Sequence, residues 1–180
     1  MNVVGVSGFS GAGKTTLVEG LVRALRMKGL RVSVIKHARH GFDIDHPGKD
    51  SHRHREAGAF EVLVASSRRM ALQREFEVEV DLSVHQMLAE LYDGVDWVLV
   101  EGFKHGDLPK VEVWRAAPDG PGRAPLYPQD PRVVAVATDA PDQLPELPAV
   151  PVLDLNDPAA LVQHLLASGE RYLYHPPHHG

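Results

Sequence analysis

Residues 8–16 read Gly8-Phe9-Ser10-Gly11-Ala12-Gly13-Lys14-Thr15-Thr16. Each residue type answers a need of a bound triphosphate. Gly8, Gly11 and Gly13, with Ser10 and Ala12 between them, let successive backbone N–H groups curl around phosphate oxygens. Lys14 brings a point charge to the β/γ oxygens, Thr15 offers a hydroxyl to Mg²⁺, and Thr16 continues the amide row. Glu101 is the second group fit for chemistry. It follows the apolar run Trp97-Val98-Leu99-Val100, so it stands at the carboxyl end of a buried strand, where ligands of parallel sheets collect. A carboxylate there holds Mg²⁺ or polarises an attacking water. The plain alternative is a solvated acid at a strand end. Lys14 and Glu101 are the candidate catalytic residues, and Thr15 and Glu101 the candidate metal ligands.

Other residues carry weaker signals. The stretch Asp43 to Ser51 puts Asp43, Asp45 and Asp50 on a polar loop. Asp50 can complete a Mg²⁺ site and Ser51 can touch phosphate, or the same residues are a solvated loop and a helix cap. Thr138-Asp139 ends a late apolar strand, and an Asp so placed can receive the two donors of guanine, or simply close a turn. His37, His40, His46, His52 and His54 invite a metal-delivery reading, but their spacings match no zinc pattern.

The elements that must hold these groups follow from periodicity. Val3–Val6 reads as a buried strand, and Leu17, Leu21, Ala24 and Leu25 recur at helical spacing after the glycine loop. A helix N-terminus is thereby aimed at an anion. Further strands are expected at 30–35, 60–65, 97–100, 110–114, 133–137 and 152–153, with Met70-Ala71-Leu72 closing a hairpin. Helices are expected near 51–57, at 82–92 and from Pro158 to Leu166, the last capped by Asp157. Strands alternating with helices, and strands of nearly continuous apolar residues, predict an α/β fold of the P-loop NTPase type: one domain, a mostly parallel sheet, helices on both faces. The domain is expected over 1–170, with 171–180 a disordered Pro/His-rich tail.

Bulk properties exclude other classes. The chain has 180 residues, no cysteine and a formal net charge of −5. Disulfides and thiolate chemistry are excluded, and a nucleic-acid-binding surface is disfavoured. No apolar run reaches the roughly 18 residues of a membrane span. The first residues enter a strand without a basic leader, which predicts a cytoplasmic protein.

With these pieces placed, the chain resembles the MobB family of molybdopterin-guanine dinucleotide biosynthesis adaptor proteins. The resemblance rests on Gly8–Thr16, Ile35-Lys36-His37, Asp45 through Pro47-Gly48-Lys49-Asp50-Ser51, Arg55-Glu56-Ala57-Gly58-Ala59, Leu99-Val100-Glu101-Gly102-Phe103-Lys104 and Asp154-Leu155-Asn156-Asp157. It implies GTP binding with Mg²⁺, weak GTPase activity and a homodimer. It also implies service to a MobA-like molybdenum cofactor guanylyltransferase, with molybdopterin or molybdoenzymes as further partners. It strengthens Asp50 and Ser51 as site residues. Two departures stand out. Position 9 is Phe, so a second lysine in the loop is not available, and 67–72 matches only loosely. Arg53, Arg55, Arg68 and Arg69 are the arginines a closing loop could bring to phosphate. The competing classes are a small-molecule kinase and a metallochaperone GTPase.

Overall fold

A computed structural model describes residues 1–38, 41–117 and 123–177. His40, His178 and His179 lie outside the described residues. The chain groups into two compact units, Met1–His37 with Val84–Gly180, and Ala38–Ser83.

The first unit is built on six parallel strands. They are β1 (Asn2–Gly8), β2 (Val32–Lys36), β5 (Trp97–Glu101), β6 (Lys110–Trp114), β7 (Val133–Thr138) and β8 (Val152–Asp154). Their order across the sheet is β2-β5-β1-β6-β7-β8. Because β1 and β5 are apolar on both faces, alternate residues feed two cores. Val4, Val6, Trp97 and Leu99 pack on one side with α1 (Lys14–Met27) and α4 (Pro158–Ala167). Val3, Val98 and Val100 pack on the other with α3 (Val84–Ala89). Helices therefore cover both faces, as the sequence predicts. The stripe of α1 is Leu17, Val18, Leu21, Ala24 and Leu25, all buried. The α3 helix is shorter than its apolar spacing suggests, since only Val84–Ala89 is helical.

The two helices over the first core approach closely. A Cβ added at Gly20 of α1 would lie 2.5 Å from Cγ of Pro158, the first residue of α4. The Asp157 side chain caps α4 by accepting from the Ala160 N–H at 2.9 Å.

The C-terminal boundary differs from expectation. Residues Gly169–Tyr172 form a short helix, α5. Tyr172 is buried, with its ring centroid 5.6 Å from that of Trp97. Leu173 then makes an antiparallel bridge with Asn2, and the Tyr174 N–H donates to the Met1 carbonyl at 3.1 Å. One large aromatic side chain seated in the core outweighs the Pro/His composition around it, so the folded part runs past residue 170.

In the second unit, α2 (Asp50–Glu56) precedes an antiparallel hairpin of β3 (Glu61–Ala65) and β4 (Met70–Arg74), with Leu63 opposite Leu72. Arg55 organises the loop before it. Its side chain is only 13% exposed and it binds Asp43 at 3.0 Å, Asp45 at 3.3 Å and Glu75 at 2.6 Å.

Candidate functional site

The glycine loop joins β1 to α1 at the carboxyl edge of the sheet. A Cβ on Gly8 would meet the Val113 carbonyl oxygen at 2.3 Å, and Gly8 has φ +135°, so this position admits only glycine. Gly13, with φ 97°, immediately precedes the first helical residue, Lys14. The loop from Ser10 to Thr16 thus delivers its amides into the N-terminal turn of a 14-residue helix, where backbone donors and helix dipole favour an anion. The Lys14 ammonium donates to the Phe9 carbonyl at 2.6 Å, curled over its own loop.

The structure brings Glu101 to this loop. The Thr15 hydroxyl donates to Glu101 Oε1 at 2.8 Å, across 86 residues of sequence. The Glu101 side chain is 4% exposed. Lys36, at the end of β2 and in register with Glu101, also reaches it. Its ammonium pairs with Glu101 Oε1 and lies 3.5 Å from Thr15 Oγ1. Gly102 follows at φ +117°, where a Cβ would strike the His37 carbonyl oxygen at 2.9 Å. The His37 N–H donates to the Glu101 carbonyl at 2.9 Å, and the His37 ring stacks on Phe103. These contacts lock the ends of β2 and β5 together and fix the direction of the Glu101 carboxylate. A hydroxyl and a carboxylate oxygen 2.8 Å apart fit a hard cation whose other ligands are water and phosphate. Among the described residues, no three His, Asp or Glu side chains come together to hold a metal unaided.

Arg115 and Arg123, two cationic groups at the loop, are not singled out from the sequence. Arg115, one residue beyond β6, lies with its guanidinium carbon 3.7 Å from where a Gly13 Cβ would be. It pairs with Asp139 Oδ2 at 3.1 Å. Lys104 and Arg123 sit over the Phe9 ring, at 4.8 and 5.0 Å from its centroid. Together with Lys14 and Lys36 they surround one loop with positive charge in a chain whose net charge is −5. Only a fold could reveal this, because Arg115 and Arg123 belong to no local pattern.

Asp139 ends β7 beside a pocket of about 360 Å³, which Asp154 and Asn156 also line. The Thr138 hydroxyl accepts from the Ala140 N–H at 3.1 Å, so the segment is a turn. The pocket lies at the carboxyl ends of β7 and β8, on the edge of the sheet that carries the glycine loop.

Asp50 and Ser51 belong to the second unit. Asp50 opens α2 with its side chain 91% exposed, 3.8 Å from Arg53. The Ser51 hydroxyl donates to Asp45 at 2.9 Å. Ser51 is therefore not the helix cap, which is Lys49. A hydrogen bond from the Asp45 N–H, and then Arg55, hold the Asp43 carboxyl below its usual range. For Asp45, burial acts upward but is outweighed by Ser51, the His46 N–H and Arg55. Glu75 and Asp43 in turn raise Arg55. Arg55 is committed to these carboxylates, which leaves it a poor candidate for reaching phosphate.

Similarity to known proteins identifies a family. Residues 3–139 match the family model described as molybdopterin guanine dinucleotide synthesis protein B. The chain is 42% identical over 161 residues to the molybdopterin-guanine dinucleotide biosynthesis adapter protein of Escherichia coli K12, covering 88% of this chain and 87% of that protein. It is 40% identical over 156 residues to the protein of that name from Haemophilus influenzae, covering 86% and 82%. Among solved structures it resembles Bacillus subtilis MobB, with TM-score 0.70 and 26% identity over 97% of this chain and all of that one. It also resembles a MobB homologue from Bacillus stearothermophilus, with TM-score 0.67 and 28% identity over 94% and 99%. A glycine loop facing a buried strand-end carboxylate, in a chain matched along most of its length, places this protein in the MobB family of molybdopterin guanine dinucleotide synthesis proteins.

Proposed function

We propose that the protein is a GTP-binding adapter in molybdopterin guanine dinucleotide synthesis, with Mg²⁺ as cofactor and slow GTPase activity. The observation that carries this is the Thr15–Glu101 pair at the mouth of the Gly8–Thr16 loop. The loop amides and Lys14 would hold the β- and γ-phosphates. Thr15 and Glu101 would hold Mg²⁺, which supplies charge neutralisation at the phosphates. Asp139, at the pocket lined by Asp154 and Asn156, would read the guanine base. Hydrolysis should be slow, because Arg55 is committed to Asp43, Asp45 and Glu75 and catalysis of phosphoryl transfer depends on a well-placed cation.

The partner would be a MobA-like guanylyltransferase, with molybdopterin or a molybdoenzyme nearby. Self-association into a homodimer is supported by the hairpin, whose Leu63, Val64, Met70 and Leu72 are all exposed. Among the described residues no helix is long and apolar enough to cross a membrane.

Calorimetric titration with GTP and ATP, with and without Mg²⁺, tests the core of the proposal. GTP should bind more tightly than ATP and more tightly with Mg²⁺. Lys14→Ala should weaken triphosphate binding by at least roughly thirtyfold, the loss of one charge-assisted contact. Unchanged affinity in that variant would remove the phosphate loop from the function.

A further inference from the structure

Two glutamates of the sheet are buried, and their partners differ in kind. Glu112 is fully buried and accepts backbone N–H bonds from Leu126 at 2.7 Å and Tyr127 at 2.9 Å. Those donors cannot leave without unfolding a loop, so Glu112 is a fixed anchor. Glu101 is held instead by a hydroxyl and an ammonium. Both are side-chain groups, and the ammonium sits on a stem that is 55% exposed. A buried carboxylate without fixed backbone donors is stabilised by a cation, and removing one partner of such a pair is strongly destabilising. The only question is which cation. Lys36 contacts the same two oxygens, Thr15 Oγ1 and Glu101 Oε1, that the proposed function assigns to Mg²⁺. An ammonium and a divalent ion cannot share that space.

We propose that Lys36 is an exchangeable stand-in for the metal. In the metal-free protein its ammonium neutralises Glu101 and holds the Thr15–Glu101 pair in place. Metal entry displaces it towards solvent, along the open groove between α1 and β2 that Val18, Val22 and Val34 line with Lys36 and Glu101. Lys36 is then a positioning residue that sets how much metal is needed. Competition for one carboxylate is a linkage, so whatever Lys36 contributes to the metal-free state is subtracted from metal affinity. This rests on the proposed Mg²⁺ role of Thr15 and Glu101.

The test uses the full chain with Mn²⁺ and GTP, Mn²⁺ binding being read by electron paramagnetic resonance, and thermal unfolding in EDTA. Lys36→Met should bind Mn²⁺ in the GTP complex more tightly, by roughly five- to tenfold or more. Its unfolding midpoint should fall in EDTA and approach the wild-type value in Mn²⁺ with GTP. Lys36→Met/Glu101→Gln should recover stability in EDTA, because a neutral amide needs no cation. If Lys36→Met does not fold in EDTA, folding of the double variant, together with folding of Lys36→Met in Mn²⁺ and GTP, supports the exchange. Failure of either overturns it. Unchanged or weaker Mn²⁺ affinity in Lys36→Met, with wild-type Mn²⁺·GTP binding intact, overturns the role of Lys36 alone. Absence of any Mn²⁺·GTP binding by the wild type overturns the functional proposal itself.

Discussion

At the scale of single residues, the site is a set of charges each already engaged. Lys14 leans on Phe9, Lys36 on Glu101 and Arg115 on Asp139, so a ligand must replace a partner as well as fill a space. Glu101→Gln keeps an oxygen for the Thr15 hydroxyl but removes the charge. It should lower Mg²⁺-dependent GTP hydrolysis more than it lowers GTP affinity. Steady-state phosphate release set beside calorimetric affinity decides this, and the reverse ranking would make Glu101 structural. Asp139→Ala should weaken GTP by roughly tenfold or more, the loss of a charged hydrogen-bond partner, and leave ATP almost untouched. Equal losses for both nucleotides would assign Asp139 to holding Arg115 and nothing else. Lys14 and Glu101 could be found from sequence because each follows a buried strand at a fixed offset. Lys36 and Arg115 could not, because they gain meaning only from neighbours 65 residues away for Lys36 and across the sheet for Arg115.

At the scale of elements, strands were more readable than helix ends. The strands β1, β5 and β7 stand out as apolar runs, since a strand buried on both faces leaves little polar interruption, whereas β6 shows only as the alternation of Lys110–Trp114. The apolar stripe overstates the extent of α3, because Met87 and Leu91 both pack on the core, yet only Val84–Ala89 keeps helical geometry. The contact between α1 and α4 was invisible, because nothing local marks Gly20 as a site of close approach. Gly20→Val should push Pro158 away and cost about 1–3 kcal/mol in urea unfolding, as overpacking does. Pro158→Ala should give back part of that loss in the double variant. The hairpin makes the converse prediction. Leu63→Glu, directly opposite the exposed Leu72, should shift the protein towards monomer in sedimentation velocity without changing GTP affinity.

For the whole molecule, acid sensitivity should come in two windows. His164 lies on α4 with Nε2 buried and unpartnered among the described residues. Burial, and then the charge of Arg171, hold its pKa below the ordinary 6.5. The unfolded chain therefore takes up the proton first. Stability is full above pH 6.5 and falls as pH drops below it. His164→Leu should flatten that limb of a urea-midpoint against pH plot. A second loss, below the ordinary carboxylate value of 3.8, belongs to Asp43, Asp45, Asp107 and Asp130, whose folded pKa values are lowered, and it should survive in His164→Leu. The bridge between Asn2 and Leu173 has a different kind of consequence. With Tyr174 bonded to Met1, the backbone is almost a closed ring. A short Gly/Ser segment could join 174 to 1 and new ends be opened in an exposed loop such as 145–149, giving a circular permutant with the phosphate loop deep inside the sequence instead of at its start.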